Sequence, residues 1–110
     1  MSLPVSIAEP GLQDLLDIND YYLMEIDEKL AAKIIGELEL AICSLAEFTD
    51  RGSVPKELLS IGIRQYRQII VNPYRIIYEP FSDKVIVHAV LDGRRDIQSL
   101  LSQRLVQTKF

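Results

Sequence analysis

The chain has 110 residues, enough for one domain, and its 48% hydrophobic and 25% charged content is typical of a globular protein. No apolar run could cross a bilayer, a single cysteine excludes an intramolecular disulfide, and no signal peptide is visible, so we expect a cytoplasmic protein without a membrane partner. The net charge of −4 is unevenly spread. Residues 1–50 hold eleven acidic and two basic side chains, whereas residues 51–110 hold five acidic and ten basic ones. This asymmetry favours two surfaces with different tasks, although solvated helices and a solvated sheet would also account for it.

The first half predicts a short strand and a helical hairpin. The strand is expected within residues 3–8, and Glu9-Pro10 suits the first turn of a helix. Apolar residues then recur at helical spacing, and a second helix is predicted over residues 27–47. The short connection favours antiparallel packing, for which Gly36 offers a point of close approach. Four acidic residues of the first helix lie away from its apolar stripe and predict a solvated face: Asp14, Asp17, Asp20 and Glu25.

The second half predicts a connecting loop, a strand meander and a last helix. The loop covers residues 49–62, and the strands cover residues 63–71, 74–79 and 85–91. Tight turns are expected at Asn72-Pro73 and Ser82-Asp83. The last helix is predicted from Asp96 to about Leu105. Helices early and strands late favour an α+β domain over residues 1–110, with an N-terminal strand, an antiparallel helical hairpin, a three-stranded antiparallel meander and a C-terminal helix.

Alternation along the middle strand of the meander separates two sets of side chains. Tyr74, Ile76 and Tyr78 share one face, which suits the helical hairpin. Arg75 is then expected to project from the opposite and more open face. Because the next strand ends nearby, we expect the arginines that follow it to form a basic patch with Arg75.

The segment from Asp92 to Asp96 reads Asp-Gly-Arg-Arg-Asp and places two arginines where the last strand meets the last helix. Guanidinium groups suit carboxylates and phosphates, so the basic side chains of this half predict a target-binding surface: Arg64, Arg67, Arg75, Arg94 and Arg95. Asp96 is the expected helix N-cap, which would hold the corner in shape. The plainer interpretation stays open, in which one arginine pairs internally and the interleaved tyrosines belong to the core.

Few residues suit catalysis. His88 is the single histidine, and a lone histidine in a strand is more typical of a neutral, hydrogen-bonded group. Nothing near Cys43 would lower the pKa of its thiol. No second cysteine or histidine could complete a zinc site, and no phosphate-binding or hydrolase motif is present. We therefore predict no catalytic residue, no metal and no cofactor.

Five segments form a pattern in combination: Leu12-Gln-Asp-Leu-Leu-Asp-Ile, Leu45-Ala-Glu-Phe, Arg51-Gly, Pro73-Tyr-Arg-Ile-Ile-Tyr and Val90-Leu-Asp-Gly-Arg-Arg-Asp. With them the chain resembles the RelE/ParE superfamily of toxins from bacterial toxin–antitoxin pairs, and within it the ParE branch, over residues 5–101. The resemblance implies a compact toxin that a cognate, ParD-like antitoxin holds inactive.

The resemblance implies one of two targets. RelE-like members cleave messenger RNA on the ribosome with basic side chains and a C-terminal tyrosine, whereas ParE-like members inhibit DNA gyrase by binding. Arg75 and Arg95 occupy positions like the RelE arginines. However, Tyr66 and Gln68 stand where RelE chemistry needs lysines, and Leu101 stands where it needs a tyrosine. Because leucine cannot transfer a proton, we expect a gyrase inhibitor without enzymatic activity.

Two alternatives stay open. A small shift in alignment would move Arg64 or Arg67 into a catalytic position and make the chain a ribosome-dependent endoribonuclease. The chain could also be a non-toxic module that only binds an antitoxin. The sequence does not decide the antitoxin-binding surface, the stoichiometry or whether the chain forms a homodimer.

Overall fold

The computed structural model describes the backbone of residues 2–107 and the side chains of residues 2–104. Its elements in chain order are β1 (Val5–Ile7), α1 (Glu9–Glu25), α2 (Glu28–Ser44), α3 (Lys56–Leu59), β2 (Arg67–Val71), β3 (Tyr74–Pro80), β4 (Val85–Asp92) and α4 (Ile97–Gln107). The predicted α+β architecture is confirmed. Two details of the prediction are wrong: α3 lies within the expected loop, and the strand predicted over residues 63–71 begins only at Arg67.

The four strands form one sheet in the order β1-β4-β3-β2. Strands β2, β3 and β4 make the predicted antiparallel meander, and β1 pairs in parallel with the first residues of β4. Where β1 ends, α1 continues along the same edge of β4. Gly11 allows this approach, because a methyl group there would lie 3.2 Å from the carbonyl oxygens of Val87 and His88. The N-terminal half of α1 therefore rests directly on the β4 backbone.

A β-bulge interrupts the pairing of β3 with β4. Ile77 pairs with Ala89 and the next residue, Tyr78, pairs with Val87, so His88 is an extra residue on β4. An extra residue shifts the alternation of side chains by one position. Residues on the two sides of His88 consequently reach the same face of the sheet although their numbers change from odd to even, as Val87 and Val90 do.

One hydrophobic core lies between the helical hairpin and the sheet. Tyr74, Ile76 and Tyr78 of β3 are buried there, as the alternation predicts. The third interleaved tyrosine, Tyr66, is also buried, in a second core on the other face of the sheet. Side chains of α1, α2 and β4 complete this core: Leu15, Leu38, Ile42, Val85, Val87 and Val90. Leu15 of α1 and Leu38 and Ile42 of α2 face this core as their helical spacing predicts, whereas Leu12, Leu16 and Leu23 of the α1 stripe are exposed.

A second core covers the opposite face of the sheet, which we expected to be open. Ile77, Ala89 and Leu91 of the sheet pack there against side chains from α3, α4 and the segment before β2, namely Leu58, Ile97, Leu101 and Tyr66. The expectation of an open face is wrong, because α3 and α4 bury apolar side chains on it.

The two long helices form the predicted hairpin. Asp27 caps α2 by accepting a hydrogen bond from the Leu30 amide at 2.8 Å. The suggested role of Gly36 in a close helix approach is not supported, because a methyl group there would meet no atom within 4 Å outside its own helix backbone. Over residues 2–107, no helix has the length and apolarity needed to span a bilayer.

Candidate interaction site

The corner between β4 and α4 is built from backbone hydrogen bonds around residues 92–95. The Gly93 amide donates to the Pro73 carbonyl at 2.7 Å, which ties the corner to the β2–β3 turn and its cis Asn72-Pro73 bond. The Arg95 amide donates to the Asp92 carbonyl at 3.1 Å and closes a turn. Gly93 suits this close approach, because a methyl group would lie 3.0 Å from the Pro73 oxygen, a tighter contact than side chains usually make. The two arginines thus project from a firmly closed turn.

Arg94 is exposed at this corner and is held by a carboxylate. Its Nε donates to Asp92 Oδ1 at 3.0 Å and its Nη2 donates to Asp92 Oδ2 at 2.7 Å, while its backbone amide also donates to Oδ1 at 2.9 Å. These bonds hold the pKa of Asp92 below its usual range and raise the pKa of Arg94. The Arg94 side chain nevertheless keeps 73% of its surface exposed. Arg94 is therefore accessible to a second macromolecule although it is paired with Asp92.

Arg95 is exposed and makes no side-chain hydrogen bond or ion pair with any residue that the structure describes. The next residue, Asp96, accepts hydrogen bonds from the amide of Ser99 at 3.2 Å and from its hydroxyl at 2.8 Å. The amide bond in particular holds the pKa of Asp96 below its usual range. The structure therefore places Asp96 at the N-cap of α4, where it orients the chain that follows the two arginines.

Arg75 does not join the exposed patch that the sequence suggested. Its guanidinium forms two hydrogen bonds of 2.9 Å with the Glu57 carboxylate, and its Nε donates to Gln68 Oε1 at 2.6 Å. Only 12% of the Arg75 side chain and 15% of the Glu57 side chain are exposed. The stem of Arg75 lies beneath the corner, since a methyl group on Gly93 would be 3.2 Å from its Cδ. Arg75 therefore supports the corner from below.

The two remaining arginines of the predicted surface lie elsewhere. Arg67 pairs in register with Tyr78, four residues along β2 from the corner end of the strand, and its Nη1 donates to the Gly52 carbonyl at 2.7 Å. Asp50 lies 4.0 Å from its Nε. Arg64 is exposed in the segment before β2. The structure thus brings together only Arg94 and Arg95 at the surface, with Arg75 beneath them.

The corner borders a groove of about 600 Å³ between α1, α4 and the ends of β3 and β4. Tyr22 and Tyr74 line it with hydroxyl groups 3.3 Å apart. Burial, together with the hydrogen bond to Tyr22, raises the pKa of Tyr74 well above its usual range. Ile18 and Leu100 add apolar surface. The groove therefore offers phenol and hydrocarbon surface directly beside the arginines.

Asp14 joins three elements at this groove, a role that the sequence did not indicate. Its carboxylate accepts the Val90 amide at 2.9 Å and binds both Nη atoms of Arg104 at 2.9 and 3.0 Å. The prediction of a solvated Asp14 is wrong, because its side chain is only 14% exposed. Its position three residues after Gly11, on the side of α1 that faces β4, was the available signal.

Among the residues that the resemblance places at RelE-like catalytic positions, Arg95 is exposed, and the others are buried or paired. Leu101 is 2% exposed and belongs to the second core, as does Tyr66. Gln68 is engaged by Arg75. His88 contacts Glu79 at 2.9 Å and the Tyr66 ring edge-on. Within the described residues, no group of histidine, cysteine, aspartate and glutamate side chains could hold a metal ion.

Comparisons with known proteins agree with this fold. A family model described as "ParE toxin of type II toxin-antitoxin system, parDE" matches residues 5–97. No curated protein matches the chain. Among solved structures, the chain is similar to one from P. aeruginosa, described as "Chromosomal ParDE TA system", with a TM-score of 0.67 and 13% identity over 81% of this chain and 94% of that chain. The structural likeness supports the fold. Because the family model covers most of the sequence, this chain belongs to the ParE toxin family of type II toxin–antitoxin systems.

Proposed function

We propose that this chain inhibits DNA gyrase by binding it and that a ParD-like antitoxin neutralises it. The single observation that carries the proposal is the match to the ParE toxin family. The exposed pair of arginines beside the groove supplies a suitable contact surface, with Arg94 and Arg95 reaching the target and Asp96 keeping the corner in shape. Arg64, on a separate part of the surface, is a second candidate contact.

The burial pattern supports binding rather than RNA cleavage. General acid–base catalysis needs a group that can transfer a proton and that lies within reach of the substrate. Leu101 cannot transfer a proton, and Tyr66 is buried behind α3 and α4. Of the two residues at positions like the RelE arginines, Arg75 is held by Glu57, whereas Arg95 is exposed. The described residues thus give little support for an endoribonuclease mechanism.

The charge asymmetry of the toxin would strengthen the binding of an acidic antitoxin. Residues 51–110 carry a balance of +5, so an acidic antitoxin segment would be attracted to this half. Such a segment can be disordered alone and become ordered on the toxin surface. The relative from P. aeruginosa is likewise described as part of a ParDE system.

A supercoiling assay tests the proposed target. Purified toxin added to gyrase and relaxed plasmid should block supercoiling, and Arg95→Ala should raise the required toxin concentration about fivefold, the effect of losing roughly 1 kcal/mol at a contact. Lys33→Ala, which removes an exposed cation on α2, is the matched control and should leave inhibition unchanged. Full supercoiling at a large excess of wild-type toxin would contradict the proposal.

Two further measurements separate the alternatives. Primer extension on a translated message after toxin induction should show no cleavage, whereas cuts within codons that vanish in Arg95→Ala would establish the endoribonuclease. Expression without an antitoxin should arrest growth, and co-expression of a cognate ParD-like antitoxin should restore it. Normal growth without the antitoxin would instead support a non-toxic binding module.

A further inference from the structure

The corner contains two arginines that differ in their side-chain contacts. Asp92 holds Arg94 through Nε and Nη2, as described above, whereas Arg95 has no side-chain hydrogen bond or ion pair among the described residues. A guanidinium carries five N–H donors, and Asp92 takes two from Arg94, which leaves three for another molecule. Because these three point from a fixed plane, Arg94 can present a defined geometry to an oxyanion.

Asp92 is itself fixed in position by its surroundings. It is the last residue of β4 and pairs in register with Tyr74, so its direction is set by the sheet. Its carbonyl oxygen accepts the Arg95 amide and its side chain accepts the Arg94 amide. The Asp92 side chain is 24% exposed, and both of its carboxylate oxygens accept hydrogen bonds from the Arg94 guanidinium. The sheet thus determines where Asp92 lies, and Asp92 determines where the guanidinium lies.

We infer that Asp92 is a positioning residue, which acts on the target of the toxin through Arg94. The inference rests on the proposed function and deepens it, since it assigns separate tasks to residues of one site. Arg94 is a preorganised contact that loses little side-chain freedom on binding, whereas Arg95 must be ordered at that moment. An unrestrained long side chain weakens binding by a factor of about two to ten when it becomes ordered.

A double-mutant cycle in the supercoiling assay tests this inference. Asp92→Asn keeps an oxygen for the Arg94 amide but removes the charge and the forked pairing, so the toxin concentration for half inhibition should rise about three- to tenfold. In an Arg94→Ala background, Asp92→Asn should have no further effect, whereas in an Arg95→Ala background its effect should persist. Asp83→Asn, at the exposed turn between β3 and β4, is the matched control and should be neutral.

A spectroscopic measurement reports the geometry without gyrase. The Arg94 Nε–H signal in a ¹H–¹⁵N spectrum should exchange slowly with water in the wild type and at least tenfold faster in Asp92→Asn, while the backbone spectra remain alike. Equal exchange rates, or additive losses in the Asp92/Arg94 cycle, would overturn the positioning role while the proposed function stands. A wild-type toxin without effect on gyrase would overturn the proposed function and this inference with it.

Discussion

Replacing Glu57 by alanine tests whether Arg75 is a structural arginine. Removing one partner of a buried ion pair costs about 3–5 kcal/mol, because the other charge stays buried without its partner. Glu57 and Arg75 keep 15% and 12% exposure, so water can relieve part of that cost and we expect a loss of roughly 2–3 kcal/mol. For a domain of this size, that loss lowers the melting temperature by about 8–12 °C.

The measurement is thermal and guanidinium unfolding of Glu57→Ala, Arg75→Ala and the double variant, followed by circular dichroism. The double variant should lose less stability than the two single losses added together, because each single substitution leaves one charged partner behind. Additive losses below about 0.5 kcal/mol each would refute the structural role. A fully stable Arg75→Ala variant would likewise contradict the structural role of this arginine.

The same pair predicts a dependence on pH. Hydrogen bonds from Arg75 hold the folded-state pKa of Glu57 below its usual range, so the unfolded chain binds its proton more readily. The stabilisation by Glu57 is therefore fully present above the unfolded-state pKa of about 4.3 and is lost as the pH falls through the lower folded-state value. The stability gap between the wild type and Glu57→Gln should narrow on acidification from about pH 6 to about pH 3. A gap that widens would refute this linkage.

Three further substitutions follow from the structure and can be read in the same unfolding assay. Gly36→Ala should stabilise the protein by about 0.5–1 kcal/mol, because the added methyl group would meet no atom within 4 Å outside the backbone of its own helix. A loss of stability would contradict this. Tyr78→Phe should cost about 1–2 kcal/mol, because its buried hydroxyl bonds two loop backbone groups at 2.9 Å, and a neutral result would mean that water replaces it. Asp14→Ala should cost about 2–3 kcal/mol, since Val90 loses the acceptor of its buried amide, whereas the exposed control Asp17→Ala should stay within about 0.5 kcal/mol.

Local signals were enough to predict the helical hairpin, the meander and the last helix. Helical spacing of apolar residues, turn residues between strands and an aspartate at Asp96 each act within a few positions of the chain, so a sequence displays them directly. The same local reasoning correctly assigned Tyr74 and Tyr78 to the core. It failed for α3, because four residues are too few to show a period.

The errors at the candidate site come from partners far apart in the chain. Arg75 binds Glu57 eighteen positions earlier, and Arg104 binds Asp14 ninety positions earlier. No periodicity connects such residues, and an exposed arginine looks the same in a sequence as a paired one. Only Arg94 has its carboxylate two positions away, where a turn can bring them together. The residues that form the corner could therefore be predicted from the sequence. Which of its arginines are buried, paired or exposed could not.

The extra residue at His88 determines more than local strand geometry. After it, the even-numbered residues of β4 accompany Tyr74 on the hairpin side of the sheet, and Asp92 is the last of them. If one residue were deleted at the bulge, the Asp92 side chain would point to the α4 face of the sheet. Its carboxylate would then lie on the opposite face from the position in which it now binds Arg94. A variant shortened by that single residue would keep every arginine and still lose the pairing that positions Arg94.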